Sequence, residues 1–286
     1  MIPFKLKKRK IAIVYRIAKK EAVRLGEDLA LWLKDKNCEV YTAPEQKVLK
    51  NTQLITSNKD LKEISMVVVL GGDGSYLRAV RIFNTFQVPI LGFNMGSLGF
   101  LTPNTATECF HVLEEALKGK LFIDPRSMIE VETSAKEKWS ALNDIVIERG
   151  SQSQLINVSI FSNDVFVSQV RADGLIISTP SGSTAYSLSA GGPISDAHAP
   201  VILVTPISPH SLTSRPLIFA DSCQLSFKIE KTTPKAQLIV DGQKALLLSP
   251  NDQVKINRSK NNHLSLRSKN YDFFSLLREK LKFGDR

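Results

Sequence analysis

The chain has 286 residues, 43% of them hydrophobic and 23% charged, which suits a folded protein of one large or two modest domains and excludes a disordered or collagen-like one. Its formal net charge of +10 is unevenly placed: residues 1–20 carry +8, residues 258–286 carry +5, and residues 21–257 carry −3. A nucleic-acid or anionic-membrane partner would therefore have to bind the two ends, and a solvated basic tail is the plainer reading.

Ile11–Tyr15 reads as a buried strand, and it is too short for a signal-peptide core. Residues 19–34 follow with Ala22, Leu25, Leu29 and Trp32 on one helical face. Glu39–Thr42 is a second strand, and residues 44–63 are polar and ambiguous. Ile64–Leu70 (ISMVVVL) has the β-branched run of a strand buried on both faces. GGDG and a helical pattern follow, then a strand at Val88–Phe93, a glycine-rich turn and a helix over 105–118 with Gly119 as C-cap. This alternation predicts a parallel, Rossmann-like α/β domain over residues 1–120.

From residue 121 to 270 the texture is β-rich, with strands expected at 128–133, 139–148, 155–161, 164–170, 174–179, 201–205, 217–219, 223–230, 236–240, 253–257 and 263–267. A short helix near Ser183–Ala190 interrupts them, and an all-β, sandwich-like second domain is predicted. Asp272–Phe283 is amphipathic and helical; residues 271–286 are expected to pack back on the first domain. Cys38, Cys109 and Cys223 are odd in number and far apart, which speaks against a disulfide framework and for a reducing, cytoplasmic compartment. No apolar run approaches the length of a membrane span.

Gly71-Gly72-Asp73-Gly74-Ser75 joins a buried strand to a helix, at the carboxyl edge where α/β sheets hold ligands. Glycines permit close backbone approach and positive φ, and the helix N-terminus suits phosphate. A carboxylate there needs another task, such as holding a phosphate-bound metal or taking a proton from a hydroxyl; capping the helix is the purely structural option. Neither GxxxxGK[ST] nor GxGxxG is present, since Leu77 stands where the last glycine belongs. Asn94-Met95-Gly96-Ser97-Leu98-Gly99-Phe100 also follows a strand and is placed beside GGDG; Phe100 can cover a base or enter the core. The block Thr179–Pro193 is small and polar for fifteen residues and suits a backbone pressed against a ligand, or a linker. No GxSxG supports a hydrolase. His111, His198, His210 and His263 have no metal-ligand spacing and read as surface or capping residues. Asp241-Gly242-Gln243 reads as a hairpin turn.

With these motifs in order, GGDGS at 71–75, NMGSLGFL at 94–101, LND at 142–144, RADG at 171–174, TPSGSTAYSLSAGGP at 179–193 and PHSLTSRP at 209–216, the chain resembles the NAD kinase family over about residues 11–257. GGDG alone is shared with diacylglycerol-type lipid kinases and phosphofructokinases, whereas the long block with NMGSLGFL is specific. The resemblance implies transfer of the ATP γ-phosphoryl group, or one from polyphosphate, to the 2′-hydroxyl of the adenosine ribose of NAD. It implies Asp73 as general base, Gly71, Gly72, Gly74 and Arg78 at phosphates, and Phe100 beside adenine. It also implies Asn143 and Asp144 at ribose or adenine edges, Arg171 and Asp173 near the nicotinamide half, and Thr184, Ala185, Tyr186, Ser187, Leu188 and Ser189 along the dinucleotide. Gln243 is a weaker implied contact. Mg²⁺ would arrive on the ATP phosphates, with no metal cage on the protein. A homodimer or homotetramer is implied, without nucleic-acid or membrane partners. Asp144 stands where the family more often has Glu, one methylene longer. A lipid kinase, or a regulator that binds NAD(P) without turnover, is the alternative.

Overall fold

The computed structural model describes residues 2–150, 154–232 and 235–282. It divides into two units, residues 1–125 with 263–286, and residues 126–262.

In chain order the first unit contains β1 (Ile2–Pro3), β2 (Lys10–Tyr15), α1 (Lys20–Asp35), β3 (Glu39–Thr42), β4 (Gln53–Leu54), α2 (Asn58–Glu63), β5 (Met66–Leu70), α3 (Asp73–Phe83), β6 (Ile90–Asn94), β7 (Asn104–Thr105), α4 (Cys109–Leu117) and β8 (Phe122–Arg126). The second unit contributes β9 (Ile129–Thr133), β10 (Lys138–Ala141), β11 (Asp144–Arg149), β12 (Ile156–Ser162), β13 (Val165–Ala172), β14 (Gly174–Ser178), α5 (Tyr186–Ser189), β15 (Val201–Ile207), β16 (Leu217–Ala220), β17 (Leu225–Ile229), β18 (Ala236–Val240), β19 (Gln243–Leu248) and β20 (Gln253–Arg258). The chain then returns to the first unit as β21 (His263–Arg267) and α6 (Phe273–Leu281).

The first sheet runs β1-β8-β21-β6-β5-β2-β3-β4, with β7 beside β6. Its centre is parallel: β2 pairs with β3 and β5, and β5 pairs with β6. Every residue of β5 is buried, as its unbroken MVVVL run demands of a strand covered on both faces. Ala22, Leu29 and Leu33 of α1 are buried on one stripe, with Leu25 and Trp32 at its margin. Gly119, just beyond α4, takes the left-handed φ of +71° expected of a C-cap. Within residues 44–63 the ambiguous stretch supplies β4 and α2, the latter opened by a capping box between Ser57 and Asp60.

The second unit holds two six-stranded antiparallel sheets, β10-β9-β20-β17-β12-β13 and β16-β15-β14-β11-β18-β19. Ile129, Val131, Val158 and Phe227 of one sheet share a core with Ile145, Ile147, Ile177 and Leu238 of the other, the arrangement of a sandwich. Asp241 (φ 45°) and Gly242 (φ 74°) both take positive φ between paired Val240 and Gln243, so the expected hairpin turn is present.

Four expectations are corrected. The strand 263–267 lies in the first sheet, parallel to β6, because Leu266 joins the first core and Tyr76 bonds the His263 and Ser265 side chains. His263 is accordingly buried rather than on the surface. The single strand expected over 139–148 is two, β10 and β11, broken at Leu142-Asn143, and β19 carries no counterpart in the sequence reading. The basic N-terminus is not a free tail: Ile2–Pro3 pair with Phe122–Ile123, and Phe4 is buried in the core. The helix at the C-terminus belongs to the first unit, with Phe273 against Phe100, and ends at Leu281; Phe283 lies outside the described residues.

Candidate active site

In the first unit the segments that follow β2 and β5 are bonded to the neighbouring strand ends, those of β5 and β6. The Arg16 amide donates to the Leu70 carbonyl and the Gly71 amide to the Phe93 carbonyl, each at 2.9 Å. These bonds set the segments after three parallel strands side by side, the usual ligand edge of such a sheet. The GGDG turn and the NMGSLGF turn are thus neighbours, as the sequence predicted.

Asp73 is the first residue of α3, whose N-cap is Gly72 without a side-chain cap. Its carboxylate turns to the other loop instead of capping its own helix. Oδ2 accepts from the Phe100 amide at 3.0 Å. Oδ1 accepts from the Leu101 amide at 3.1 Å, the Thr102 amide at 3.2 Å and the Thr102 hydroxyl at 3.2 Å. Gly99 is required for this approach, since a Cβ there would collide with the Asp73 carboxylate and the Thr102 hydroxyl. None of Gly71, Gly72 and Gly74 takes a positive φ. A Cβ at Gly72 or Gly74 would meet nothing within 4 Å, so the fold itself does not demand glycine at either position.

Arg78 is tied to the loop after β3: it donates to the carbonyls of Pro44 and Glu45, both at 3.2 Å, and lies 3.5 Å from the Glu45 carboxylate. Two basic residues that sequence reasoning missed stand beside the glycine turns. The Arg16 Cβ is 3.4 Å from where a Cβ at Gly71 would stand, and the Lys19 ammonium is 3.6 Å from the same point at Gly96. Phe100 is half-buried, 6.5 Å from the Phe273 ring, with the Lys280 ammonium 4.9 Å from its centroid.

In the second unit the break between β10 and β11 is made by Asp241. Its carboxylate accepts from the amides of Leu142 (2.9 Å), Asn143 (2.8 Å) and Asp144 (3.2 Å). Thr179 closes the same corner, its amide donating to the Asn143 carbonyl and its hydroxyl to the Leu142 carbonyl. Gly182 lies so near the Asn143 backbone that any Cβ would strike the Asn143 carbonyl. This packing identifies the small-residue block as ordered structure rather than linker. It leaves two buried side-chain atoms, Asn143 Oδ1 and Ser181 Oγ, without a hydrogen-bond partner. Such orphans are costly unless a ligand or water completes them. Asp144 is buried beside Asp241, and burial first, then that second carboxylate, push its pKa from 3.8 up to about 7.

The remaining predicted residues are dispersed. Asp173 is ion-paired with Arg149 at 2.7 Å. Because Asp144 pairs with Ser178 and Glu148 with Gly174, Asp173 and Asn143 stand at opposite ends of β11, about 20 Å apart at the usual strand rise. Arg171 is exposed and lines a cavity of about 310 Å³ together with Ser211, Thr213, Ser214 and Arg215. Neither Asp73 nor Asn143 lines this cavity, nor the one near 290 Å³ beneath the N-terminal segment. Tyr186 is exposed, and its hydroxyl is pushed up by partial burial and by Glu148, Asp144 and Asp173. Thr184, Ala185 and Leu188 are half-buried and Ser189 is exposed. Ser187 departs from expectation, being fully buried with its hydroxyl 3.0 Å from that of Thr205. Gln243 is exposed; Asp241, two residues earlier, is the member of that turn that reaches the Asn143 corner. Among the described residues no cluster of three or more His, Cys, Asp or Glu could hold a metal ion, and no helix is long and apolar enough to cross a membrane.

Residues 11–121 match the ATP-NAD kinase N-terminal domain and residues 142–268 the ATP-NAD kinase C-terminal domain. The chain belongs to the NAD kinase family. The NAD kinase of Bdellovibrio bacteriovorus is 53% identical over 280 residues, covering 96% of this chain and 92% of that one. The NAD kinase of Geotalea daltonii is 36% identical over 283 residues, covering 97% and 100%. A yeast NADH kinase solved with NADH superposes with a TM-score of 0.90 at 27% identity, covering 98% of this chain and 89% of that chain. The fold is shared with an NAD kinase from Archaeoglobus fulgidus solved with ATP, at a TM-score of 0.74 and 24% identity over 96% and 97% of the two chains. The NAD kinase frame thus spans both units, including β21, which returns to the first sheet.

Proposed function

We propose that this NAD kinase family member transfers the γ-phosphoryl group of ATP to the 2′-hydroxyl of the adenosine ribose of NAD, giving NADP. The observation that carries the reading is the state of Asp73. Its Oδ1 receives three donors, but its Oδ2 receives one, so Oδ2 keeps lone-pair capacity for a substrate hydroxyl. A secondary hydroxyl is a weak nucleophile, and a placed carboxylate that takes its proton contributes about 10²–10⁴-fold.

Phosphoryl transfer otherwise depends on positioning and charge neutralisation. Gly72 and Gly74, with open space over both, let phosphate oxygens reach the first amides of α3, which have no intrahelical acceptor. The Lys19 ammonium adds positive charge beside Gly96 of the neighbouring loop, and Arg16 stands next to Gly71. Mg²⁺ bound to the ATP phosphates would neutralise further charge, and with no carboxylate cage among the described residues the phosphates would be its main ligands. The orphaned Asn143 Oδ1 and Ser181 Oγ fit polar edges of the adenosine moiety. Tyr186 and Ser189 are exposed for contact along the dinucleotide.

Three free thiols suit the cytoplasm. Assembly into a homo-oligomer is supported by β13, an edge strand with Val165 and Phe166 exposed, and by Leu212 and Ile218 elsewhere in that unit. Purified protein given NAD, ATP and Mg²⁺ is expected to form NADP. No NADP with either ATP or polyphosphate as donor would overturn the assignment.

A further inference from the structure

Residues 94–102 form the loop whose amides hold Asp73, and the carbonyls of that loop go to cations from distant parts of the first unit. The Lys19 ammonium donates to the Met95 carbonyl, the Lys280 ammonium to the Leu98 carbonyl, and Arg267 to the Leu101 carbonyl at 3.3 Å. Two of these three cations come from the last twenty residues of the chain. Lys280 makes a second contact with the loop, its ammonium lying 4.9 Å from the Phe100 ring centroid. Phe273, on the same helix, packs against that ring at 6.5 Å. Leu276 and Leu277 are buried and anchor α6, while Arg267 stacks on Tyr271 at 4.6 Å. The loop is therefore gripped through its carbonyls and the Phe100 ring by the C-terminal segment, while its N–H groups grip Asp73.

Leu98, Gly99 and Phe100 are consecutive. A bond to the Leu98 carbonyl thus acts one residue from the glycine that packs on the Asp73 carboxylate, and two from the amide that donates to Oδ2. Movement of this stretch turns the Phe100 amide and so redirects Oδ2.

We propose that α6 is a positioning clamp for Asp73 and that Lys280 is its principal contact, acting through the Leu98 carbonyl and the Phe100 ring. Lys280 is a positioning residue: it fixes the loop, and the loop fixes the carboxylate. The proposal rests on the reading of Asp73 as the group that takes the hydroxyl proton.

The test uses the full chain with saturating ATP and Mg²⁺ and varied NAD. Lys280→Met keeps the apolar stem and removes the charge; Lys280→Ala and Lys280→Arg accompany it. Lys280→Met is expected to lower kcat about tenfold, since small misplacements at a reacting centre cost this much or more. Its KM for NAD should stay within about threefold, because the carboxylate, not the dinucleotide contacts, is disturbed. Lys280→Arg should restore most of the loss. In an Asp73→Asn background, Lys280→Met should change the residual rate by less than about twofold, because residues acting as one unit are non-additive.

Wild-type kcat in Lys280→Met, with Asp73→Asn inactive, would overturn the clamp and leave the Asp73 reading standing. The same outcome follows if Lys280→Met loses an equal factor in the Asp73→Asn background, or if a fall in the folded fraction by circular dichroism accounts for its loss. Full turnover in Asp73→Asn would overturn the Asp73 reading and the clamp with it.

Discussion

Replacing Asp144 by asparagine should make the protein more stable at alkaline pH and should flatten its stability profile. Asp144 is buried next to the Asp241 carboxylate, which is itself held by three backbone amides. Burial and that neighbour raise its pKa from 3.8 to about 7. Between those values the folded protein keeps a proton that the unfolded chain releases, so stability falls as pH rises. Each pH unit well inside that window removes about 1.4 kcal/mol and the slope halves at the folded pKa, so the step from pH 5 to pH 7 removes roughly 2.3 kcal/mol, and little more is lost above it. The asparagine side chain has the shape of the aspartic acid without the titration. Urea unfolding of wild type and Asp144→Asn at pH 5, 6, 7 and 8 measures this directly. The advantage of the variant should grow by about 2–3 kcal/mol from pH 5 to pH 8. Other groups titrate in both proteins and cancel in the difference. Parallel profiles for the two proteins would refute the argument.

Asp73→Asn should reduce kcat by at least about a hundredfold, the loss of a general base, with a much smaller change in NAD affinity measured by calorimetry. Gly99→Ala places a methyl group against the Asp73 carboxylate and the Thr102 hydroxyl, and should cost at least about tenfold in kcat; wild-type turnover would show that the loop yields freely. Phe4→Ala should destabilise by about 3 kcal/mol in urea unfolding, because Phe4 is buried in the first core. Neutralising the exposed Lys5 and Lys7 to Gln should leave both stability and NADP formation unchanged.

Much of this organisation was legible in the sequence because it is local. The MVVVL run, the helical stripe of residues 20–35, Gly119 as a C-cap and the Asp-Gly hairpin at 241–242 each follow from a pattern within a few residues. The placement of GGDG and NMGSLGF as neighbours follows from one further rule, that consecutive parallel strands deliver their loops to the same edge. That Arg171 shares a cavity with Arg215, 44 residues later, is by contrast a tertiary fact that no local pattern gives. Thr102 and Asp241 were passed over because a lone Thr and a turn Asp carry no chemical signal until their partners are known.

The sequence alone determined the type of most elements, the two textures of the chain and the identity of Asp73 as a carboxylate out of place in a phosphate turn. Only the tertiary structure decided that β21 joins the first sheet, that Arg16 and Lys19 of the basic N-terminal run stand beside Gly71 and Gly96, and that Asp241 cuts one expected strand into β10 and β11. The difference has one cause. Propensity and periodicity act over the few residues of a turn or strand, whereas these decisions are hydrogen bonds between groups separated by 99 residues for Leu142 and Asp241, 166 for Leu101 and Arg267, and 182 for Leu98 and Lys280. Their geometry exists only after the chain has closed those loops.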